Sequence, residues 1–180
     1  MTNFNEHALE MSIMQLFKDQ GYTYISGDQI HRERTEVLLA DDLKQYLYSR
    51  YAKDGITPSE VDSIILMLRN TSGTLYEANK AIYKMLCDGF IFNREDRTQK
   101  DIFIELIDFE NPENNIFKAV NQFEIVGMNN QMRIPDGIVF VNGIPVVVLE
   151  FKSAIKENTT IMDAYTQLTV RYRRDIPEIF

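Results

Sequence analysis

The sequence predicts an α+β fold: a mixed, mostly antiparallel four-stranded sheet flanked by helices, with a helical insertion in the front half of the chain. Two observations predict it. Apolar residues recur at helical spacing as far as about residue 90. From about residue 100 the apolar period changes to two, and the connections are short, which is typical of antiparallel strands.

The front half reads as a series of helices. The first helix is predicted to end near Asp19. The next three are predicted at Asp41–Tyr51, Pro58–Leu68 and Tyr76–Leu86. Thr57 and Ser59 are both candidate caps beside Pro58, which is favoured in a first turn. Tyr22–Ile25 is predicted to be a short strand after the first helix.

The second half contains the predicted sheet. After an exposed turn at Arg94–Arg97, its strands are predicted at Ile102–Phe109, Val120–Val126 and the two arms of a hairpin around Asn142-Gly143. Thr160 and Asp163 fit a capping box, which predicts a final helix.

The predicted organisation is one domain over residues 1–180. A helical elaboration occupies about 28–90, and the sheet with its flanking helix occupies about 100–175. The chain stops soon after the last helix without a terminal cap, so we expect a fragment of a longer protein.

The hairpin from Arg133 to Lys152 is mostly apolar, and its few charged side chains lie at its open end. Asp136 lies at the start of its first arm, and Glu150 and Lys152 lie at the end of its second arm. Side chains two residues apart share a face of a strand, so Glu150 and Lys152 lie together. Charges at the rim of an apolar sheet are costly unless they are paired or hold a cation.

Turn geometry decides whether Asp136 joins Glu150. A two-residue loop at Asn142-Gly143 would place Asp136 opposite Leu149, on the wrong face. A three-residue loop with a left-handed bulge would place Asp136 opposite Val148 instead. Glu150 would then lie diagonal to it, at roughly 7–8 Å between backbones. We therefore predict a three-residue loop or an equivalent bulge.

Composition narrows the function classes. The 180 residues are 44% hydrophobic and 26% charged, as in ordinary globular proteins. The absence of a signal peptide and of a long apolar run predicts a cytoplasmic protein without a membrane partner. Cys87 is the single cysteine and there are two histidines, so cysteine-based and histidine-rich metal sites are not expected.

The formal net charge of −8 argues against coating nucleic acid by bulk charge. It leaves room for a local basic face. The basic residues late in the chain are Lys152, Lys156, Arg171, Arg173 and Arg174. They read either as solvated helix-surface charges or as such a contact face.

Two carboxylates beside an amine suit phosphodiester hydrolysis, which needs stabilisation of developing negative charge and a deprotonated water. Asp136, Glu150 and the backbone carbonyl of Phe151 are candidate ligands for Mg²⁺, a hard cation that prefers oxygen. Lys152 would orient or activate the water. The alternative interpretation is a charged strand end at a sheet edge.

Pro135-Asp136 with Glu150-Phe151-Lys152 resembles the PD-(D/E)xK nuclease motif. The surrounding sequence is similar to the N-terminal nuclease domain of type I restriction enzyme R subunits. The similar segments are Leu106–Glu110, Asn115–Phe123, Val141–Ser153, Gln20–Tyr22, Leu38-Leu39 and Arg171–Pro177. The resemblance covers nearly the whole chain.

The resemblance implies a restriction-endonuclease-like fold and Mg²⁺-dependent cleavage of double-stranded DNA. By it, Asp136 and Glu150 are metal ligands and Lys152 is the catalytic lysine. Glu10 on the first helix matches an additional acidic residue of the family, with Glu6 as an open alternative.

The same family often carries Gln-x-x-x-Tyr on the helix after the sheet. Here Gln167 and Tyr172 are five apart, which turns them roughly 140° from each other in an α-helix and argues against a joint role. Gln167 alone would touch the site or DNA. Lys156 and the arginines of the last helix, Arg171, Arg173 and Arg174, are expected to contact DNA phosphates rather than to read bases.

The resemblance also implies partners. The R subunit continues into an ATP-driven DNA translocase, so ATP is expected only in motor domains absent from this sequence, and methyltransferase and specificity subunits complete the complex. Two alternatives stay open. One is a repair or junction-resolving nuclease of the same fold. The other is a catalytically silent docking module, for which Asp136, Glu150 and Lys152 would not converge.

Overall fold

The computed structural model describes residues 6–127, 130–152 and 160–179. Its helices are α1 (Glu6–Asp19), α2 (Ala40–Arg50), α3 (Pro58–Arg69), α4 (Leu75–Asp88), α5 (Ile161–Thr166) and α6 (Arg173–Asp175). Its strands are β1 (Thr23–Ser26), β2 (Phe90–Phe92), β3 (Ile102–Ile104), β4 (Phe117–Asn121), β5 (Ile125–Val126), β6 (Met132–Arg133), β7 (Gly137–Val141) and β8 (Ile144–Leu149). A π-helical segment, Gln167–Tyr172, joins α5 to α6. Within these residues, no helix combines the length and the apolar character needed to cross a membrane.

The described elements fall into two compact units. Unit 1 contains the chain up to Leu38 together with the chain from Phe117 onward, and unit 2 contains Leu39–Ile116. Most of the predicted helical elaboration at about 28–90 belongs to unit 2, which also holds β2 and β3.

Unit 1 is built on a four-stranded sheet in the order β1-β4-β7-β8. The β1 strand runs parallel to β4, and the other neighbours are antiparallel. All five residues of β7 are buried, so β7 forms the centre of the sheet. The predicted α+β class with a mixed, mostly antiparallel four-stranded sheet is confirmed, and the arrangement is compatible with a PD-(D/E)xK-like nuclease fold.

The predicted membership of this sheet was wrong in two places. Only Ile102–Ile104 of the predicted strand at Ile102–Phe109 is extended, and it pairs with β2 in a separate two-stranded sheet. The place in the main sheet is taken by β1, the short strand after α1. The predicted strand at Val120–Val126 breaks at Gln122, whose φ of 52° cannot continue a strand.

The hairpin loop differs from the predicted three-residue turn. Val141 pairs with Ile144, so the loop has two residues, Asn142 and Gly143, with φ values of 51° and 79°. Positive φ at both positions is the type I′ geometry that Asn-Gly favours. The expected equivalent bulge is present farther along the hairpin.

The bulge lies in β8 at Val146. Phe140 pairs with Pro145 whereas Val139 pairs with Val147, which leaves Val146 as one extra residue. Beyond the bulge the strands stay in register as far as the pair of Gly137 and Leu149. Continuing that pairing by one residue puts Asp136 beside Glu150. Asp136 is therefore not opposite Val148, as the three-residue loop required, because Val148 pairs with Ile138.

Unit 2 combines an apolar helical core with a buried ion pair. Thr57, not Ser59, caps α3 through a capping box with Glu60. Glu60 also accepts hydrogen bonds from the Arg94 guanidinium at 2.8 and 2.9 Å. Arg94 is 4% exposed, so the predicted exposed turn at Arg94–Arg97 was wrong at its first residue.

The helical core allows a matched test of packing. Leu47 on α2 is fully buried, and Leu66 on α3 is 57% exposed. Leu47→Ala should lower the free energy of unfolding by about 2–5 kcal/mol, because it removes buried apolar surface and leaves a cavity. Leu66→Ala should change it by less than about 0.5 kcal/mol. Urea denaturation measures both values, and equal losses would contradict the described packing.

Candidate active site

The α1 helix brings a carboxylate to the start of β7. Glu10 and Met14 are the two buried residues of α1, and they lie one turn apart on the same face. Met14 packs on Gly137, where a Cβ atom would lie 2.6 Å from the Met14 methyl carbon. The glycine therefore lets α1 approach the sheet next to Asp136.

Two side-chain amides hold the Glu10 carboxylate. Asn121 donates to Glu10 Oε1 at 2.7 Å, and Gln122 donates to the same oxygen at 3.3 Å. These bonds offset the cost of burying the carboxylate. Sequence reasoning assigned no role to the two amides, although consecutive polar residues at the end of an apolar strand were the available indication. Glu6, the open alternative, is half-buried in the first turn of α1.

Asp136 occupies a half-buried position at the end of the hairpin. The backbone N–H of Phe151 donates to Asp136 Oδ2 at 2.5 Å. Burial raises the pKa of Asp136 to about 6, the Phe151 N–H opposes that rise, and the negative charges of Glu150 and Glu10 add to it. The positive charge of Lys152 opposes the rise, so burial is the main cause of the shift and the neighbouring acids add to it.

Glu150 is held through both of its carboxylate oxygens. Lys152 Nζ donates to Oε1 at 2.5 Å, and the Tyr172 hydroxyl donates to Oε2 at 2.8 Å. A charged lysine on a carboxylate makes a strong, charge-assisted hydrogen bond. Asp136, Glu150 and Lys152 thus meet at one end of the β7–β8 hairpin, as their positions in the sequence predicted.

The π-helical segment overturns the predicted separation of Gln167 and Tyr172. Gln167 Nε2 donates to the Tyr172 hydroxyl at 2.9 Å. Hydrogen bonds in a π-helix join residues five apart, so side chains with this spacing lie nearly one above the other. The expected 140° rotation was wrong because it belongs to an α-helix. A chain of hydrogen bonds now runs from Gln167 through Tyr172 to Glu150.

The basic residues of the last helix take different positions. Arg171 and Arg173 are exposed on either side of the buried Tyr172. Arg174 donates from Nε to Asp175 Oδ1 at 2.6 Å. Lys156 lies outside the described residues.

The donor set decides which metal the residues would suit. Among residues 6–127, 130–152 and 160–179, no three His, Cys, Asp or Glu side chains converge as a metal-binding group. Asp136, Glu150 and the Phe151 carbonyl provide oxygen only. Mg²⁺ is commonly bound by one or two carboxylates and retains several waters, whereas structural zinc needs four ligands. The residues present therefore fit Mg²⁺ better than zinc.

The two aspartates of this unit predict opposite dependences of stability on pH. Because the folded state raises the pKa of Asp136 from 3.8 to about 6, stability falls as the pH rises through that range. In metal-free buffer, Asp136→Asn should raise the free energy of unfolding by about 1 kcal/mol at neutral pH, allowing for solvent screening. The gain should disappear near pH 4.

Asp175 provides the contrast. The Arg174 guanidinium, together with Arg133, lowers the pKa of Asp175 from 3.8 to about 2. Its contribution to stability is present above the unfolded value of 3.8 and is lost as the pH falls towards 2. Asp175→Asn should therefore destabilise the protein at neutral pH. Urea denaturation across this pH range measures the free energy of unfolding of each variant and of the wild type. If the difference from the wild type changed with pH in the same direction for both variants, the two assignments would be contradicted.

Similarity to known proteins assigns the chain to a family. The family described as type I restriction enzyme R protein N terminus matches residues 3–180. The chain is 32% identical to the type I restriction enzyme HindI endonuclease subunit of Haemophilus influenzae, over an alignment of 186 residues that covers 98% of the chain. It is 32% identical over 185 residues, or 97% of the chain, to the putative type I restriction enzyme MjaIXP endonuclease subunit of Methanocaldococcus jannaschii. The chain spans 17% of the length of each relative. It therefore belongs to the family of type I restriction enzyme R protein N-terminal domains.

Proposed function

We propose that this chain is the Mg²⁺-dependent endonuclease domain of a type I restriction enzyme and hydrolyses phosphodiester bonds in double-stranded DNA. The observation that carries the proposal is the convergence of Asp136, Glu150 and Lys152 at one end of the sheet. The names of the two relatives, both endonuclease subunits, support it. A silent docking module would have no need to hold two acids and a lysine together in a half-buried position.

The proposed metal ligands are Asp136, Glu150 and the backbone carbonyl of Phe151. When bound, Mg²⁺ supplies positive charge that offsets the negative charge developing on the phosphate in the transition state. The nearness of Glu150 to Asp136 supports this assignment, because a divalent cation relieves the repulsion between two carboxylates. Glu10 adds a further negative charge within electrostatic range of Asp136.

Lys152 is the proposed catalytic lysine. Its ammonium group lies on Glu150 at 2.5 Å, and its side chain is 20% exposed, so part of it remains accessible from solvent. There it would orient the attacking water and offset phosphate charge. Tyr172 holds the other oxygen of Glu150, and Gln167 holds the Tyr172 hydroxyl. These two residues are thus proposed to orient Glu150.

DNA contact is proposed for Lys156, Arg171 and Arg173. Arginine and lysine beside a scissile backbone position the duplex without reading its sequence. In the complete enzyme we propose coupling to ATP-driven translocation by further domains, together with methyltransferase and specificity subunits. Family membership supports these partners and a cytoplasmic location.

The first test separates metal binding from cleavage. In the assembled enzyme, Asp136→Ala and Glu150→Ala should weaken Mg²⁺ or Mn²⁺ binding and abolish plasmid cleavage. Lys152→Ala should leave metal binding intact or improved, because it removes a competing cation, yet abolish cleavage. Isothermal titration with Mn²⁺ and supercoiled-plasmid cleavage measure the two properties.

Lys44→Ala is the matched control, because Lys44 pairs with Asp62 in unit 2 at 2.8 Å. Its cleavage should equal that of the wild type. ATP hydrolysis should survive in every variant, since nuclease and nucleotide chemistry are separate. Normal cleavage by the Lys152 or Glu150 variant would refute the assignment.

The second test addresses DNA contact. Replacing Arg171 and Arg173 by alanine should weaken binding evenly across DNA sequences and reduce its salt dependence, because phosphate contacts release counterions. The control is the double alanine variant of Lys80 and Lys84, two exposed lysines of α4. Fluorescence anisotropy at several salt concentrations measures the effect. Loss confined to one DNA sequence, or equal loss in the control, would contradict the proposal.

A further inference from the structure

We propose that the ion pair between Arg133 and Asp175 is a positioning device for the active site. It fixes the helical segment that carries Gln167 and Tyr172 against the strand that leads to Asp136. The Tyr172 hydroxyl is thereby placed on Glu150. This inference rests on the proposed nuclease function and adds two residues outside the predicted site to it.

The contact joins two segments that each carry a site residue. Arg133 donates from Nε and Nη2 to Asp175 Oδ2, at 3.0 and 2.5 Å. Arg133 ends β6, three residues before Asp136, and Asp175 ends α6, three residues after Tyr172. The Asp175 side chain is 4% exposed, so the contact is largely shielded from solvent on that side. A shielded pair is screened less than a surface pair and holds a more defined geometry.

A second contact reinforces the first. A Cβ atom at Gly127 would lie 1.9 Å from the Asp175 carbonyl oxygen, so the two backbones touch there. Gly127 follows β5, which pairs with β6 through Ile125 and Arg133. The β5–β6 ribbon therefore meets the end of α6 both through backbone and through a guanidinium.

The charge on Asp175 is maintained at neutral pH. Arg174, together with Arg133, lowers the pKa of Asp175 to about 2. Arg174 and Asp175 are neighbours within α6, so the bond between them does not connect α6 to another element. Arg133 differs because its bond connects α6 to β6. The positioning role is therefore assigned to Arg133.

Tyr172 is the group that depends on this contact. Its hydroxyl donates to Glu150 Oε2 at 2.8 Å and lies 3.5 Å from the Ile134 carbonyl oxygen. Asp175 lies about one helical turn beyond Tyr172, so movement of one end of the turn displaces the other. Ile176 is fully buried and its N–H donates to the Tyr172 carbonyl at 2.7 Å. Loss of the ion pair should therefore loosen the segment enough to misplace Tyr172, while the buried Ile176 keeps its end docked.

The kinetic test uses the complete enzyme. Arg133→Gln should lower the kcat of plasmid cleavage roughly 10- to 100-fold, with the KM for DNA unchanged, because small misplacements near a reacting centre have effects of this size. Arg133→Lys should recover part of the loss. The control is Arg34→Gln, which breaks the Arg34–Glu124 pair of the same unit at 2.8 Å and should cleave normally.

A double-mutant cycle separates positioning from general stability. If Arg133 acts through Tyr172, then Arg133→Gln should cause no further loss of kcat in a Tyr172→Phe background. Equal losses in both backgrounds would overturn the inference. They would show that Arg133 affects the enzyme independently of Tyr172.

Hydrogen exchange supplies a readout that does not depend on cleavage. In the same complete enzyme, amides of residues 161–175 should exchange faster in Arg133→Gln than in the wild type, whereas those of α1 should be unchanged. Unchanged exchange in residues 161–175 would overturn the inference. Failure of the wild type to cleave DNA, or full cleavage by Lys152→Ala, would instead refute the proposed function.

Discussion

One extra residue in β8 sets the geometry on which the candidate site depends. With the two-residue Asn142-Gly143 loop and no bulge, Asp136 would pair with Leu149, and its side chain would point away from Glu150. Val146 shifts the register by one position, and the two acids then lie side by side. Asn142-Gly143 thus forms the two-residue turn that it favours. The bulge at Val146, three residues later, brings Asp136 back to the face of Glu150.

Glu60 in unit 2 and Asp136 in unit 1 are two acids with opposite surroundings. In unit 2 the Arg94 guanidinium lowers the pKa of Glu60, and the pair is satisfied within the fold. In unit 1 burial raises the pKa of Asp136, which receives one backbone N–H and lies near other acids. The first arrangement stabilises a fold. The second arrangement disfavours the charged form of Asp136, and a bound cation or substrate group can offset this effect. Shifted pKa values of this kind are typical of functional sites.

Much of the fold could be predicted because local rules decide it. The bounds of α2, α3 and α4 follow from apolar periodicity and from caps such as Thr57. The grouping of Asp136, Glu150 and Lys152 follows from their places on one hairpin. The parallel pairing of β1 with β4 could not be predicted, because it joins residues far apart in sequence and leaves no local pattern. The hydrogen bonds from amides to Glu10 and the ion pair of Arg133 likewise join residues far apart in sequence, so they could not be predicted either.

The π-helical segment has a consequence for comparing sequences of this kind. Four residues in an α-helix and five in a π-helix both bring a glutamine and a tyrosine onto the same face. The segment Gln167–Tyr172 can therefore be described as an α-helical turn that has accepted a one-residue insertion without moving either side chain off that face. An alignment that forbids gaps inside helices would separate two residues that the hydrogen bond joins. The spacing between such residues can vary by one while their spatial relation is kept.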